Sequence, residues 1–344
     1  MSQKEEILQF LADNPSLSSK EIYDTINTNI AYATVKRILT QLLDENLIVK
    51  EGQGKGTRYL ISPSYQLLYP VNIDDYFKLE QDERSIKKDF NLSLINNILA
   101  NAMLFTIGEQ QQLKTLQEKF TQNVANLSPT EFDKEQERLA IDLSWKSSQI
   151  EGNTYSLLET ERLLKEKETA EGKPKDDATM LLNHKEALNF IIEHPDYVVP
   201  LTTSRLEDIH SILTRDLGVN RNIRSGRVGI TGTNYRPLDN EHQIREALDD
   251  MCKLINAKEN VFEKALLALV LLSYIQAFAD GNKRTARIIS NAILIAHQYC
   301  PLSFRTVDSV DYKKAMLIFY EQNNISAFKK IFIEQFEFAV NTYF

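Results

Sequence analysis

The stretch Gln276–Arg287, QAFADGNKRTAR, decides how this chain is read. It follows the apolar run ALLALVLLSYI (265–275) and precedes a second apolar segment, IISNAILIA (288–296). The pattern predicts two buried helices joined by a short polar turn at Asp280, Gly281, Asn282 and Lys283. Asp and Asn are good helix caps, and Gly permits close backbone approach. The free N–H groups at the start of the second helix, with the helix dipole, make an anion site. Arg284 and Arg287 are i,i+3 neighbours on one face, and two guanidinium groups beside a helix N-terminus suit a polyphosphate. Asp280 adds an oxygen able to hold Mg2+ against the phosphates. Phe278 is expected to turn inward and anchor the loop. Asp-Gly-Asn alone would favour a plain helix cap with two surface arginines. The phenylalanine, both arginines and the flanking apolar helices favour the anion site.

Working outward, 344 residues at about 150 per domain predict two domains, or three. Gly (11) and Pro (9) are scarce, which favours helices and excludes collagen-like or linker-rich designs. Forty Lys and Arg against 48 Asp and Glu give a net charge of -8, which disfavours a chain whose main task is coating nucleic acid. Two cysteines, Cys252 and Cys300, make neither a disulfide framework nor a four-cysteine metal site and read as core thiols. The N-terminus lacks the apolar core of a signal peptide, and 265–275 is too short to span a bilayer. The expected localisation is cytoplasmic, with no membrane partner.

Residues 1–62 read as a separate unit. Three short helical patterns end in LIVKEGQGKGTRYLIS, a glycine-tipped hairpin signal at Gly52–Gly56. The arrangement resembles a winged helix-turn-helix. Such domains place the third helix in the major groove and the wing on the backbone. Lys36, Arg37, Lys50, Lys55 and Arg58 would then meet phosphates. The unit carries seven basic and eight acidic residues, so its charge leaves DNA and a docked protein both open as partners. Residues 63–100 read as a connector and helical lead-in, and 101–344 as a helical body. Within the body, Gly226–Leu238, GRVGITGTNYRPL, predicts a small β-hairpin.

QAFADGNKRTAR resembles the signature of the Fic (filamentation induced by cyclic AMP) domain family, H-x-F-x-(D/E)-G-N-x-R-x-x-R. Phe278, Asp280, Gly281, Asn282, Arg284 and Arg287 match, and Gln276 stands where the family has histidine. Ser147, Glu151 and Gly152 match the family's inhibitory motif (S/T)-x-x-x-E-(G/N), which resembles the subclass with an N-terminal inhibitory helix. The segment 226–238, with Gly232, Thr233, Asn234 and Tyr235, falls where the family has its target-docking flap. The resemblance implies a mainly α fold: a Fic-type helical bundle with a small hairpin flap, preceded by a winged helix. It also implies ATP and Mg2+ as cofactors, an unnamed target protein whose Ser, Thr or Tyr hydroxyl takes AMP, and a homodimer as a candidate assembly. Asp280 would hold the metal. Asn282 and the backbone of Gly281 and Lys283 would hold the α- and β-phosphates. Arg284 would bind phosphate, Arg287 would bind the γ-phosphate, and Glu151 would pair with Arg287 and block it. Lys283 would contribute mainly its backbone.

Gln276 departs from the family at the general-base position. An amide does not accept a proton at neutral pH, whereas His titrates near 6.5. AMP transfer is therefore expected to be impaired. His242 and His297 are alternative bases in principle, but both read as surface residues. The competing expectation is a nucleotide-sensing or DNA-binding regulator with an inactive Fic domain.

Overall fold

The computed structural model describes residues 2–26 and 30–344, apart from the Lys55 side chain. The N-terminal unit begins with α1 (Gln3–Asp13) and α2 (Ser19–Thr25), each opened by a serine capping box, Ser2 with Glu5 and Ser18 with Glu21. α3 (Tyr32–Asp44) buries Val35, Ile38, Leu39 and Leu42, the stripe its 3.6-residue period predicts. β1 (Ile48–Glu51) and β2 (Arg58–Ile61) pair antiparallel, with Ile48 opposite Ile61, and Leu17 bridges Tyr59 as a third short edge. Gly52 (φ 74°) makes the wing turn. A Cβ there would lie 2.5 Å from the Gly56 carbonyl oxygen. The winged helix is as expected. Lys50 is exposed on β1, Arg58 is paired with Glu21, and the Lys55 contact lies outside the described residues.

The next segment contains α4 (Tyr65–Leu68), α5 (Ile73–Tyr76) and a π-helical turn at Leu94–Leu99. Between them, residues 77–93 run without regular structure, although the pattern from about Asp82 onward suggests a helical lead-in. Besides a few local turns, their polar groups bond to distant elements. Lys87 N–H, for example, donates to the Glu321 carbonyl at 2.8 Å.

The body comprises α6 (Ile107–Asn126), α7 (Pro129–Ile150), α8 (Leu157–Glu166), α9 (Lys175–Glu193), α10 (Thr203–Leu213), α11 (Glu241–Ala257), α12 (Val261–Ile275), α13 (Asn282–Ala296), α14 (Ser309–Gln322) and α15 (Ser326–Thr342). α12 is apolar on every side and buried along its length, so it is the axis around which the other helices pack. α13 lies against it, and α7, α9, α10 and α14 close the flanks.

The hairpin expected at 226–238 is not a paired ladder. The segment is irregular, with a turn at Thr231-Gly232 and one parallel bridge from Arg236 to Asp89. Its backbone donors do not form a ladder: Arg236 N–H goes to the Lys88 carbonyl at 2.7 Å and Tyr235 N–H to the nearby Thr233 Oγ1 at 3.1 Å. No helix among the described residues is long and apolar enough to cross a membrane.

Candidate functional site

α12 stops because Gln276 enters the left-handed region (φ 52°, ψ 56°), and α13 starts after Gly281 does the same (φ 81°). Asn282 ties the intervening loop shut. Its Oδ1 accepts the Phe278 N–H at 2.9 Å, and its Nδ2 donates to the Phe278 carbonyl at 2.8 Å and to Gln276 Oε1 at 3.2 Å. Gln276 Nε2 donates to the Ser273 carbonyl at 2.7 Å. Both ends of that amide are therefore committed to the protein. Phe278 is fully buried, as expected, and the ring of His210 on α10 stacks on it at 3.7 Å and 5°. His210 Nε2–H donates to the Asp280 carbonyl at 2.9 Å, which fixes the tautomer.

The arginines point from α13 into the interior. Arg284 is 1% exposed, with Nη2 3.1 Å from Asp280 Oδ2, while its Nε and Nη1 have no partner among the described residues. Arg287 is fully buried. Its Nε donates to Ser147 Oγ at 2.8 Å, and its Nη2 donates to the Ser147 carbonyl and to Glu151 Oε1, each at 2.9 Å. Lys283 Nζ donates to the other Glu151 oxygen at 3.0 Å, so the side chain of this lysine is engaged at the site. Glu151 is the C-cap of α7, and Gly152 (φ 101°) turns the chain away after it. Burial alone would raise the Glu151 pKa. The charges of Arg287 and Lys283 overcome burial and hold the carboxyl at about 2.

A cavity of about 410 Å³ opens at this place. Glu151, Gln276, Asp280 and Lys283 line one side, residues 228–231 another, and Tyr312, Met316, Leu317 and Tyr320 of α14 the third. That volume lies in the range of small-ligand pockets. Of the expected flap residues, Gly232, Thr233, Asn234 and Tyr235 do not line it. Thr233 and Tyr235 are buried, and Tyr235 donates its hydroxyl to the Tyr274 carbonyl at 3.1 Å. The expected metal ligand Asp280 has a side chain 66% exposed. No group of three or more His, Cys, Asp or Glu placed to hold a metal is found among the described residues.

The alternative bases stay away from the cavity. His242 is exposed, and His297 is spent on the Ile293 carbonyl at 2.8 Å. The histidines that matter here are others. Besides His210, His184 on α9 is fully buried with neither ring nitrogen partnered among the described residues. Burial, then the charges of Arg287 and Arg284, push its pKa well below the ordinary value, so it is neutral. Both sit on apolar helical stripes, His184 beside Leu181 and Leu188, His210 beside Leu206 and Leu213. A histidine inside such a stripe was the available signal.

Residues 200–294 match the Fic/DOC family, and residues 2–66 match the penicillinase repressor family. The chain carries a Fic/DOC domain. The Fic domain follows a winged helix of the repressor type. Among curated relatives, the protein adenylyltransferase Fic of Nematostella vectensis is 30% identical over 179 residues, which is 49% of this chain and 40% of that protein. The protein adenylyltransferase fic-1 of Caenorhabditis elegans is 26% identical over 176 residues, 47% of this chain and 33% of that one. The chain thus spans well under half the length of these relatives. Among solved structures, Fic-1 from C. elegans superposes with a TM-score of 0.59 at 19% identity, over 68% of this chain and 71% of that one. A Fic domain containing signaling protein from Bacteroides thetaiotaomicron gives 0.56 at 21% identity, over 67% and 94%. These superpositions place the Fic domain and its flanking helices in one fold.

Proposed function

We propose that the Fic domain binds ATP with Mg2+, that Glu151 holds it autoinhibited, and that its AMP-transfer chemistry is curtailed at Gln276. The observation that carries this is the Arg287–Glu151–Lys283 cluster, of which Glu151 and Lys283 line the cavity with Gln276 and Asp280 while Arg287 is buried behind Glu151. A buried guanidinium with one arm on a carboxylate is a phosphate fork already filled by an internal anion. A γ-phosphate arriving there must displace Glu151 or be repelled by it. Asn282, Arg284 and the N–H groups of Gly281 and Lys283 would hold the inner phosphates at the start of α13. Asp280 fits a single-carboxylate Mg2+ site, since it is exposed on the cavity and Mg2+ is commonly held by one or two carboxylates plus phosphates. Bound there, the metal would neutralise phosphate charge. The two buried free thiols, Cys252 and Cys300, suit a reducing compartment such as the cytoplasm.

Transfer to a target hydroxyl needs the hydroxyl proton removed as oxygen attacks the α-phosphorus and pyrophosphate leaves. Gln276 accepts no proton at neutral pH, and its amide is held by Asn282 and Ser273. Titration calorimetry with ATP and Mg2+ tests the binding half of the proposal. Glu151→Gly should bind ATP more tightly than the native chain, and Arg287→Ala should not bind. Equal ATP affinity in all three would refute it.

A second reading concerns the N-terminal unit. α3 exposes Lys36, Arg37, Thr40 and Gln41 on one face of a helix positioned as a recognition helix, in a domain of the repressor type. We propose a DNA duplex as its partner, with the Fic domain as its nucleotide-responsive body. Affinity for duplex should fall steeply with salt, and the slope should shrink by about one for each of Lys36→Ala and Arg37→Ala. Salt-independent binding would sink this reading.

A further inference from the structure

The connector between the two domains is more than a tether. Arg84 lies in its irregular stretch, with a side chain 4% exposed. Nη2 donates to the Gly232 carbonyl at 2.6 Å. Nη1 lies 3.2 Å from the carboxylate of Glu321, which is fully buried and also accepts the Tyr76 hydroxyl at 2.5 Å. The aromatic rings of Phe77 and Tyr76 face the guanidinium at 5.1 and 5.9 Å. Gly232 adjoins Thr231, and Glu321 adjoins Tyr320. Thr231 and Tyr320 stand on different walls of the cavity. One guanidinium therefore joins the flap wall to the α14 wall.

Neighbouring connector groups hold the same two bodies. Lys88 O takes the Arg236 N–H, Gln81 and Asp82 bond Asn234 at 2.7 Å each, and Lys87 bonds the Glu321 carbonyl. None of these bonds has charge on a buried donor, and none reaches both walls through one side chain. The rigid fork of Arg makes the double contact, which a lysine ammonium on a flexible stem does not reproduce.

We infer that Arg84 is a positioning residue that sets the flap segment 228–231 over the cavity, so that the connector is a working part of the site. For its bearing on nucleotide this rests on the reading under Proposed function. The positioning itself is testable without any nucleotide. Arg84→Lys keeps a cation beside Glu321 and gives up the Gly232 carbonyl. Arg84→Met with Glu321→Gln removes the tie and leaves no buried charge unpaired. Hydrogen exchange of the free protein is the primary measurement. Losing a charge-assisted hydrogen bond should raise amide exchange over 228–236 by about tenfold or more, with α12 and α13 unchanged. Unaltered flap exchange in both variants, even with a lowered Tm, would make Arg84 a merely structural ion pair and overturn the inference. In the Glu151→Gly background, Arg84→Lys should also weaken ATP binding. If Glu151→Gly itself binds no ATP, the nucleotide reading fails while the exchange result still decides the role of Arg84.

Discussion

Arg287 and Gln276 bracket one motif, and their surroundings differ in kind. Around Arg287, charge is answered on several sides: Glu151, the Ser147 hydroxyl and the Ser147 carbonyl all accept from it, and the Tyr312 ring lies 5.3 Å from its guanidinium carbon. Around Gln276 the side-chain partners are neutral, a backbone carbonyl and an amide. The end around Arg287, the proposed phosphate end, is built by packing α7 against α13, so it involves many residues and a buried ion pair. The end proposed to handle the proton depends on one side chain. On the proposed reading, binding and transfer are thus separable, and a single substitution at position 276 should alter the second while leaving the first in place.

The sharpest way to break that comparison is to restore a base. Gln276→His in the Glu151→Gly background should raise AMP transfer by about 10²–10⁴-fold over Glu151→Gly alone. The left-handed backbone at 276 accommodates histidine, one of the residues enriched there. Labelled α-phosphate from ATP is the readout, on a protein target or on the chain itself. No gain would show that position 276 is not the base position.

Stability tests the same contrast from the other end. Arg287→Ala leaves Glu151 with Lys283 as its one cation and should cost about 3–5 kcal/mol. Gln276→Ala removes an acceptor from Asn282 and a donor from the Ser273 carbonyl, a loss of about 1 kcal/mol. Chemical denaturation of the two variants should show this asymmetry. Equal losses would mean that the phosphate end is not the more rigidly built.

Acid should expose the Glu151 cluster next. Its carboxyl is held at about 2 in the fold against an ordinary 4.5. The unfolded chain therefore takes up the proton first as pH falls. The stabilisation, about 3 kcal/mol, is present above pH 4.5 and is lost between there and pH 2. Glu151→Gln should flatten that limb of a denaturation series. An unchanged acid limb would place the pH dependence elsewhere.

What the sequence made legible follows from how local each feature is. α12, the loop and α13 are written in contiguous residues: an unbroken apolar run, a glycine that must be left-handed, and arginines at i,i+3. The winged helix is equally local, with its capping serines and glycine-tipped turn. The hairpin at 226–238 was misread because alternation and glycines look the same whether a strand pairs with itself or with a distant segment, here Lys88 and Asp89. The partner of the Lys283 side chain, Glu151, lies on another helix and leaves no local signal. A histidine in an apolar stripe, such as His184 or His210, says nothing of its neighbour until helices are packed. Arg84 is the extreme case: an isolated arginine in an irregular stretch whose partners lie near 232 and 321.

Two glycines refine the comparison at its smallest scale, since each lets the chain turn beside one group of the Arg287 cluster. Gly152 (φ 101°) follows Glu151, and a Cβ there would meet nothing within 4 Å. Gly281 (φ 81°) precedes α13, and a Cβ there would lie 3.2 Å from Thr214 Cγ2 and 3.3 Å from His210 Nε2. Both substitutions to alanine carry the left-handed penalty of about 1 kcal/mol. Gly281→Ala must in addition displace His210. That ring is held from two directions, stacked on Phe278 and bonded to the Asp280 carbonyl, so it yields only by disturbing the loop. Gly281→Ala should therefore cost about 2 kcal/mol and weaken ATP binding, while Gly152→Ala costs about half as much. In Gly281→Ala/His210→Ala the added cost should fall below the sum of the single losses, because the contact with His210 is gone and only that with Thr214 remains. Strict additivity would mean that His210 does not buttress the loop and that its stacking on Phe278 is incidental.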